Sequence, residues 1–468
     1  IFPCFNILSR GTLLPRLIPA ISAKDSKGKA TGDGICLSSA DSRQALEKIF
    51  GAFLDKYYPE GCDFFHLGCA DLGGPRLRPG KSTPESTWCA CKKCAGTDHG
   101  QLLADFLGHI VPFLVSKGVG KVVLFSDQML NGEKFLKGAL ADVLKAQPEL
   151  ASHLVIQWED LGNEASSKLI APANADKLGV ESWITPVGCQ DNFANFVDRR
   201  ANIDAALQMA LKRQNAIVAR SQYDPAYQNH YALIGLRAWE PTDCTEDTVA
   251  SIQARWAELQ WSAYSDKLIN AREKLSEAAA NPVYQLIVPA EYFKLEAVSA
   301  KKGGSDILPP YPGTALEKLA KCKNGMKELD KAAEAAETAF STVSNMMSRV
   351  KWNPYQALAL QSLFASAKRI LINISFFKTL VALKSDIAKN GVTEKHAQTI
   401  AKALEALQPE LKLMEENTPD WLVWITMQQL GCHKLFLEQI MAEIQAGKAA
   451  DELNWSLPGD WEAPEDEC

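Results

Sequence analysis

The segment FFHLGCADLGG, residues 64–74, places a histidine, a cysteine and an aspartate where a hydrophobic run gives way to a glycine-rich turn. Imidazole and carboxyl groups are the side chains that most often transfer protons in catalysis. Taken alone, a histidine on an apolar strand is more often a core residue whose hydrogen bonds are satisfied. The segment therefore indicates a candidate functional site around His66 and Asp71, with a structural histidine as the alternative.

A compact cysteine motif follows, in which Cys89, Cys91 and Cys94 are spaced Cys-x-Cys-x-x-Cys. Thiolates at this spacing can fold around one zinc ion, and a structural zinc site needs four ligands. Candidates for the fourth ligand are Cys69, His99 and Cys36. Unligated thiols and a disulfide are the alternatives. A structural zinc here would brace the loop beside the site without touching substrate.

Six short apolar runs along the first half of the chain predict buried strands. They are IFPCF at 1, CDFFHLGC at 62, KVVLFSD at 121, HLVIQW at 153, ESWITPV at 181 and AIVARSQ at 216. Amphipathic helical segments lie between most of them, the clearest being SRQALEKIFGAFLDKYY, HGQLLADFLGHIVPFLVSKG and RRANIDAALQMALKRQN. Strands and helices that alternate at this rhythm predict parallel βα units.

The continuous hydrophobicity of each run predicts a sheet covered on both faces, either a doubly wound sheet or a (β/α)8 TIM-type barrel. Functional-looking side chains end nearly every run: His66 to Asp71, Ser126 and Asp127, Trp158 to Asp160, Gln190 and Asp191, and Tyr223 and Asp224. In a barrel, the carboxyl ends of the strands ring one face, where the active site lies. This distribution favours the barrel.

From about residue 245 the pattern changes to long helices, with a turn-rich segment, KKGGSDILPPYPG, at 301–313. We therefore expect a barrel domain over residues 1–280 and an all-α C-terminal domain over residues 281–468. The alanine-rich periodicity of the second domain is typical of bundle packing, and a dedicated partner-binding surface is the alternative.

Composition excludes several classes of function. The net charge is -6 without long basic runs, so nucleic acid is not an expected partner. The apolar run LINISFFKTLVAL, residues 371–383, is short and interrupted by Lys378, which predicts a buried helix rather than a membrane span.

Twelve cysteines are too dilute for a disulfide scaffold and favour a reducing, cytoplasmic compartment. The chain opens with Ile1 and no signal segment, so its N-terminus is expected to have been processed or to lie outside the sequence. The oligomeric state is not predicted.

The phrase FHLGCAD resembles the fourth-strand motif of family 20 glycoside hydrolases, the β-N-acetylhexosaminidases, in which His-x-Gly-x precedes an Asp-Glu pair. His66, Gly68 and Cys69 fit the hexosaminidase D-like branch, whereas the two acidic positions read Ala70 and Asp71. Other segments extend the likeness over roughly residues 1–265: IFPCFNILSR, WCACKKC, VLFSDQML, VIQWED, NFVDRRANIDAALQMALKRQNAIVARSQYD and YALIGLRAWEP. On this alignment the first two barrel strands are absent from the chain.

The resemblance implies substrate-assisted retaining hydrolysis, in which the 2-acetamido oxygen of the sugar attacks its own anomeric carbon. It gives Asp71 the role of the acid and His66 that of supporting this acid. Ala70 cannot orient the acetamido group, and Asp127 or Asp224 are alternatives for a lost role. No cofactor is required for this chemistry.

Aromatic residues complete the implied sugar pocket, although each tryptophan alone is more often plain core. Trp158, Trp183, Tyr223 and Trp239 would stack on a pyranose ring, and Tyr223 with Asp224 would bond a hydroxyl or the intermediate. The resemblance thus implies a hydrolase acting on terminal N-acetylhexosamine of glycans. A catalytically inactive glycan-binding or scaffold protein on the same fold is the alternative, and a functional helical domain carried by the barrel is a third.

Overall fold

The computed structural model describes residues 3–5, 13–68, 75–76, 85–86, 88–125, 135–159, 173–186, 188, 198–219, 225–239, 246–288 and 312–455. The chain divides into two compact units. Unit 1 comprises Ile1–Val187, Ala201–Arg220 and Arg237–Thr242, and unit 2 comprises Gly188–Arg200, Ser221–Leu236 and Asp243–Cys468.

The described strands all belong to unit 1. They are β1 (Ser22–Lys24), β2 (Ala30–Ile35), β3 (Cys62–His66), β4 (Pro75–Arg76), β5 (Glu85–Ser86), β6 (Val119–Phe125), β7 (Leu154–Glu159), β8 (Glu181–Thr185) and β9 (Ala216–Ile217). Strands β1 with β2 and β4 with β5 form antiparallel pairs. The other five form one parallel sheet in the order β3-β6-β7-β8-β9, curled as half of a barrel.

The helices of the described residues follow the same chain order. They are α1 (Leu13–Leu17), α2 (Ala40–Tyr57), α3 (His99–Ser116), α4 (Ala141–Ala146), α5 (Ala173–Lys177), α6 (Arg200–Arg213), α7 (Gln228–Trp239), α8 (Glu246–Trp261), α9 (Ser265–Ala280), α10 (Pro282–Ile287), α11 (Gly313–Lys321), α12 (Gly325–Arg349), α13 (Pro354–Asn390), α14 (Glu394–Asn417) and α15 (Asp420–Gln445). A π-helical turn at Leu136–Leu140 and 3-10 turns at Pro19–Ile21, Pro148–His153, Pro225–Tyr227 and Ser262–Tyr264 are also present.

Each face of the parallel sheet has its own set of side chains, because successive strand residues point to opposite sides. The outer face carries Phe65, Leu67, Val122, Leu124, Leu154, Ile156, Trp158 and Ile184, which share one core cluster with residues of α2 and α3. The inner face carries Val123, Val155 and Trp183, which form a separate cluster with Phe64 and Val218. The alternation thus separates the helix-covered face of the curled sheet from its opposite face.

Helix α2 covers the outer face because Leu46, Phe50 and Leu54 recur every four residues and are fully buried. The ring of Phe50 lies 5.1 Å from that of Phe65 on β3. Burying an aromatic or aliphatic side chain of this size contributes about 1.5–3 kcal/mol. The periodicity of α2 therefore fixes the side of the sheet on which it packs.

Two glycines allow strands β3 and β6 to begin side by side. Gly61 has φ +88° and Gly118 has φ +85°, in the left-handed region that favours glycine. A Cβ atom on Gly118 would lie 2.9 Å from the Cα atom of Gly61. The backbone nitrogen of Cys62 donates to the Gly118 oxygen at 3.1 Å, which starts the pairing.

Unit 2 is built of packed helices in its described residues. Helix α13 starts with a capping box: the Asn353 side chain accepts from the nitrogens of Tyr355 and Gln356, and Gln356 accepts from the Asn353 nitrogen. The segment 371–383 lies within α13 with most of its apolar side chains buried, as the sequence predicts. None of the described helices is both long enough and apolar enough to span a bilayer.

The predicted parallel βα arrangement is confirmed in its coarser form. Five of the six apolar runs are the strands of the parallel sheet, and the first run makes an isolated parallel bridge from Cys4 to His66. The complete eight-stranded barrel is not confirmed, because the described residues supply five strands and this bridge. Helices α8 and α9 group with the C-terminal helices in unit 2. The domain boundary expected at residue 280 stays a prediction.

Candidate functional site

Polar side chains lie on the inner face toward the carboxyl ends of three strands. His66 follows Phe64, Gln157 follows Val155 and Thr185 follows Trp183, each by two residues and therefore on the same face of the sheet. All three are buried. We call His66, Gln157 and Thr185 the polar layer. It lies at the end of the sheet where parallel α/β folds place their ligands.

His66 is held rigidly in this layer by both ring nitrogens. Its Nδ1 atom accepts a hydrogen bond from the Gly68 nitrogen at 2.8 Å, so the neutral ring carries its proton on Nε2 and donates to Gln157 Oε1 at 3.2 Å. Burial lowers the pKa of His66 to about 4, although the bond to Gln157 opposes the shift. His66 is therefore neutral near pH 7 and positions the turn at Gly68.

Gln157 was not foreseen as a site residue. Its signal in the sequence is an amide inside the continuous apolar run HLVIQW, since a buried amide requires hydrogen-bond partners. Thr185 likewise ends an apolar run, and its Oγ1 atom is buried without a hydrogen-bond partner among the described residues. The sequence does not single out either residue, because strands buried on both sides show no alternation that would mark a polar side chain on the inner face.

The two tryptophans predicted to stack on a sugar lie on opposite faces of the sheet. Trp183 is on the inner face, where its ring packs at 4.8 Å from Phe64 and its Nε1 atom donates to Glu181 at 2.8 Å. Trp158 is on the outer face and donates to Ser182 Oγ at 3.1 Å. A single aromatic wall containing both rings is therefore not what the structure shows.

The remaining predicted site residues fall outside the described structure. Asp71, Asp127, Tyr223 and Asp224 lie outside the described residues, as does the side chain of Trp239 at the end of α7. Their roles stay predictions. Two of the strands that precede them are described: β3 ends at His66, five residues before Asp71, and β6 ends at Phe125, two residues before Asp127.

The predicted cysteine motif meets Cys36 in the fold. The Sγ atoms of Cys36, Cys89, Cys91 and Cys94 all lie within 4.8 Å of one another. A hydrogen bond from Cys89 lowers the pKa of Cys36 to about 4, and the same contact raises the pKa of Cys89. Of the other two predicted ligands, His99 stacks on Trp88 at 4.3 Å and Cys69 lies outside the described residues.

A second polar cluster, in unit 2, has no counterpart in the sequence predictions. Asp198 bonds the Arg200 guanidinium, lies 3.5 Å from Nε2 of the fully buried His230, and lines a small cavity with Arg272. Burial raises the pKa of Asp198, but the neighbouring His230 and Arg200 lower it overall. Arg200 also bonds Gln253, and Arg272 bonds the Ala226 carbonyl and Asn229. Both arginines are thus occupied by protein groups, as in a structural network.

Comparison with known proteins gives a weak structural likeness. No protein-family model matches the chain, and no curated protein matches it. Among solved structures it is similar to a GH138 enzyme targeting pectin rhamnogalacturonan II, with a TM-score of 0.44 and 10% identity. The match covers 87% of this chain and 59% of that one, so the chain spans less than two thirds of that structure. At this score the likeness establishes neither a shared fold nor a shared activity.

The resemblance to family 20 glycoside hydrolases is wrong as an assignment, because no family model matches the chain. Its physical basis was weak. A hydrophobic strand followed by a glycine turn and an acidic residue arises in any parallel α/β sheet, since the strand is buried and the turn is exposed.

Proposed function

We propose that the carboxyl end of the inner face binds a neutral, hydroxyl-rich ligand, and that the chain is a hydrolase directed at glycans. The supporting observation is the polar layer of His66, Gln157 and Thr185, which follows the apolar Phe64, Val155 and Trp183 on the same strands. An apolar floor with a few fixed polar groups is the usual composition of a small-molecule site.

The charge state of the layer supports a neutral ligand. His66 is uncharged near pH 7, and Gln157 and Thr185 carry no charge. Lys121 lies two residues before Val123, on the same face of β6, and is paired with Glu181. A phosphate or carboxylate ligand would need arginine, lysine or backbone donors, whereas sugar hydroxyls match amide and hydroxyl groups.

Hydrolysis would come from the aspartates that follow the strands. Glycoside hydrolysis ordinarily needs a pair of carboxyl groups near the scissile bond. Asp71 and Asp127 follow β3 and β6, which are neighbours in the sheet with their carboxyl ends at one edge. We infer that these two aspartates are the carboxyl pair, with Asp224 as the alternative to either. The narrower specificity for N-acetylhexosamine stays a prediction.

The test is a panel of chromogenic aryl glycosides offered to the full chain, covering hexoses, deoxyhexoses, uronic acids and N-acetylhexosamines in both anomeric forms. We expect turnover of at least one glycoside and a loss on the order of 100-fold in Asp71→Asn or Asp127→Asn, the usual scale for a proton-transfer group. Asp142→Asn is the matched control, because Asp142 is an exposed aspartate on α4.

Binding is measured in parallel by calorimetry with the same glycosides and with Thr185→Val, which removes a hydroxyl at nearly constant shape. We expect this variant to bind about ten-fold more weakly, as for one lost hydrogen bond. Binding without turnover would overturn hydrolysis and support the non-catalytic alternative at the same site. Neither binding nor turnover across the panel would overturn the proposal.

A further inference from the structure

We propose that Cys36, Cys89, Cys91 and Cys94 bind one zinc ion in a closed tetrahedral site that ties the β1–β2 hairpin to the segment preceding α3. We call the sulfurs of these four residues the zinc cluster. The zinc site is independent of the proposed glycan site. It goes beyond the sequence prediction because the fold selects the fourth ligand.

The spacing of the sulfurs matches a single ion. Cys36 Sγ lies 3.8 Å from both Cys91 Sγ and Cys94 Sγ, and all four sulfurs lie within 4.8 Å of one another. Zinc–sulfur bonds of about 2.3 Å in tetrahedral geometry require sulfurs about 3.8 Å apart. A disulfide would require about 2.05 Å. The four described cysteines are therefore arranged as ligands around a common centre rather than as bonded pairs.

The backbone fixes the cluster from two directions. Cys36 directly follows β2, and Cys89 is held against β1, where the Ala90 nitrogen donates to the Lys24 oxygen at 2.7 Å. The Lys24 nitrogen in turn donates to Cys89 Sγ at 3.2 Å. A peptide N–H aimed at sulfur stabilises the thiolate form that a metal requires.

Cys91 and Cys94 are presented by a tight turn. The nitrogens of Cys94 and Ala95 both donate to the Cys91 oxygen, at 2.9 and 2.8 Å. Gly96 follows with φ +82°, a conformation that reverses the chain before α3. Ser38 adds a hydroxyl 3.0 Å from Cys94 Sγ and 3.5 Å from Cys36 Sγ. This turn brings both sulfurs to the same side and supplies an outer hydrogen bond to the cluster.

Burial makes the site structural rather than catalytic. Cys36, Cys89 and Cys94 are buried and Cys91 is half-buried, and four cysteines would fill all four positions of a tetrahedral ion. Zinc binding would replace the thiol protons, which pass to the buffer, and leave a net negative centre. The exposed Lys92 and Lys93 in the turn reduce the cost of that charge. Tetrahedral sulfur ligands also suit iron, so the metal must be identified directly.

The first measurement is the metal content of the full chain, purified without chelator, by plasma mass spectrometry. We expect about one zinc per chain. The zinc content should fall at least ten-fold in Cys91→Ser and in Cys36→Ser. Cys62→Ser is the matched control, because Cys62 is a half-buried cysteine of unit 1 outside the cluster. Ser38→Ala should keep the ion and weaken its affinity about ten-fold, as for an outer-shell partner.

Cobalt replacement on the unmodified chain keeps the test valid if a cysteine variant fails to fold. Tetrahedral sulfur ligation should give intense visible bands with thiolate-to-cobalt charge transfer, and zinc should abolish them. A metal-free chain with freely reactive thiols, iron in place of zinc, or a disulfide among these cysteines by mass spectrometry would each overturn the proposal.

Discussion

His66 makes the stability of unit 1 depend on pH. Burial lowers its pKa from 6.5 to about 4 in the folded chain. Between these values the unfolded state binds more protons, so stability rises with pH and is lost as pH falls through this window. We expect His66→Gln to remove up to about 3 kcal/mol of that dependence.

Urea unfolding of the unmodified chain and of His66→Gln, each near pH 7 and near pH 4, gives the free energy of unfolding of each protein at both pH values. The change in this free energy between the two pH values is then compared between the two proteins. The buried His433, whose pKa burial lowers to about 3, contributes equally to both and cancels. Equal pH dependence in the two proteins would show that His66 is not buried in its neutral form.

The sequence indicates that the three motif cysteines lie close together, but it does not indicate on which face of the sheet each strand residue lies. Cys89, Cys91 and Cys94 are close in sequence, so their proximity is local, whereas Cys36 meets them only through the pairing of β1 with the following segments. Trp158 and Trp183 could not be placed on opposite faces, because strands buried on both sides show no alternation of polar and apolar residues. Register pairs Gln157 rather than Trp158 with Trp183.

At the scale of the elements, the start of β6 depends on Gly118. Alanine there would meet the Gly61 backbone and adopt a left-handed φ, so we expect Gly118→Ala to lower the free energy of unfolding by about 1–3 kcal/mol. The control is Gly431→Ala in α15, where an added Cβ meets nothing within 4 Å. That change should raise the free energy of unfolding by up to about 1 kcal/mol. Denaturant unfolding measures the free energy of unfolding of both variants. An equal change in the two would contradict the close contact between Gly118 and Gly61.

The stability of helix α13 depends on Asn353, the N-cap residue that precedes it. Asn353→Ala removes the acceptor for two backbone N–H groups and should cost about 1 kcal/mol, whereas Asn353→Asp keeps an acceptor and should cost only a few tenths. Denaturant unfolding compares the two. If both variants lost the same stability, the cap would not be the cause.

The helices were the most predictable elements. The long helices expected from about residue 245 onward are observed as α8, α9 and α12 to α15. Long amphipathic periods bounded by proline, asparagine and threonine carry this information locally. Closure of a barrel is not local, since it depends on strands that pair across the whole domain.

At the scale of the whole molecule, the zinc proposal predicts that the two units respond differently to metal removal. All four cluster cysteines belong to unit 1. A ligand present at a thousand times its Kd stabilises the folded state by about 4 kcal/mol, and a chelator removes that stabilisation. Calorimetry should therefore show that chelator lowers the midpoint temperature of the unfolding transition of unit 1 and leaves that of unit 2 unchanged.

The two glycine variants assign these transitions. Gly118→Ala should lower the chelator-sensitive one, and Gly431→Ala should raise the other, because each residue lies in a different unit. A calorimetric profile indifferent to chelator would contradict the metal site.

The order of the parallel sheet also has a consequence for how the chain is made. Strands β3, β6, β7, β8 and β9 lie side by side in the order in which a ribosome would release them. Each new strand of the described sheet therefore finds its neighbour already synthesised, and it covers the edge of that neighbour as soon as it emerges. Such an edge is what recruits foreign strands into aggregates. The described sheet can accordingly grow by one strand at a time during translation.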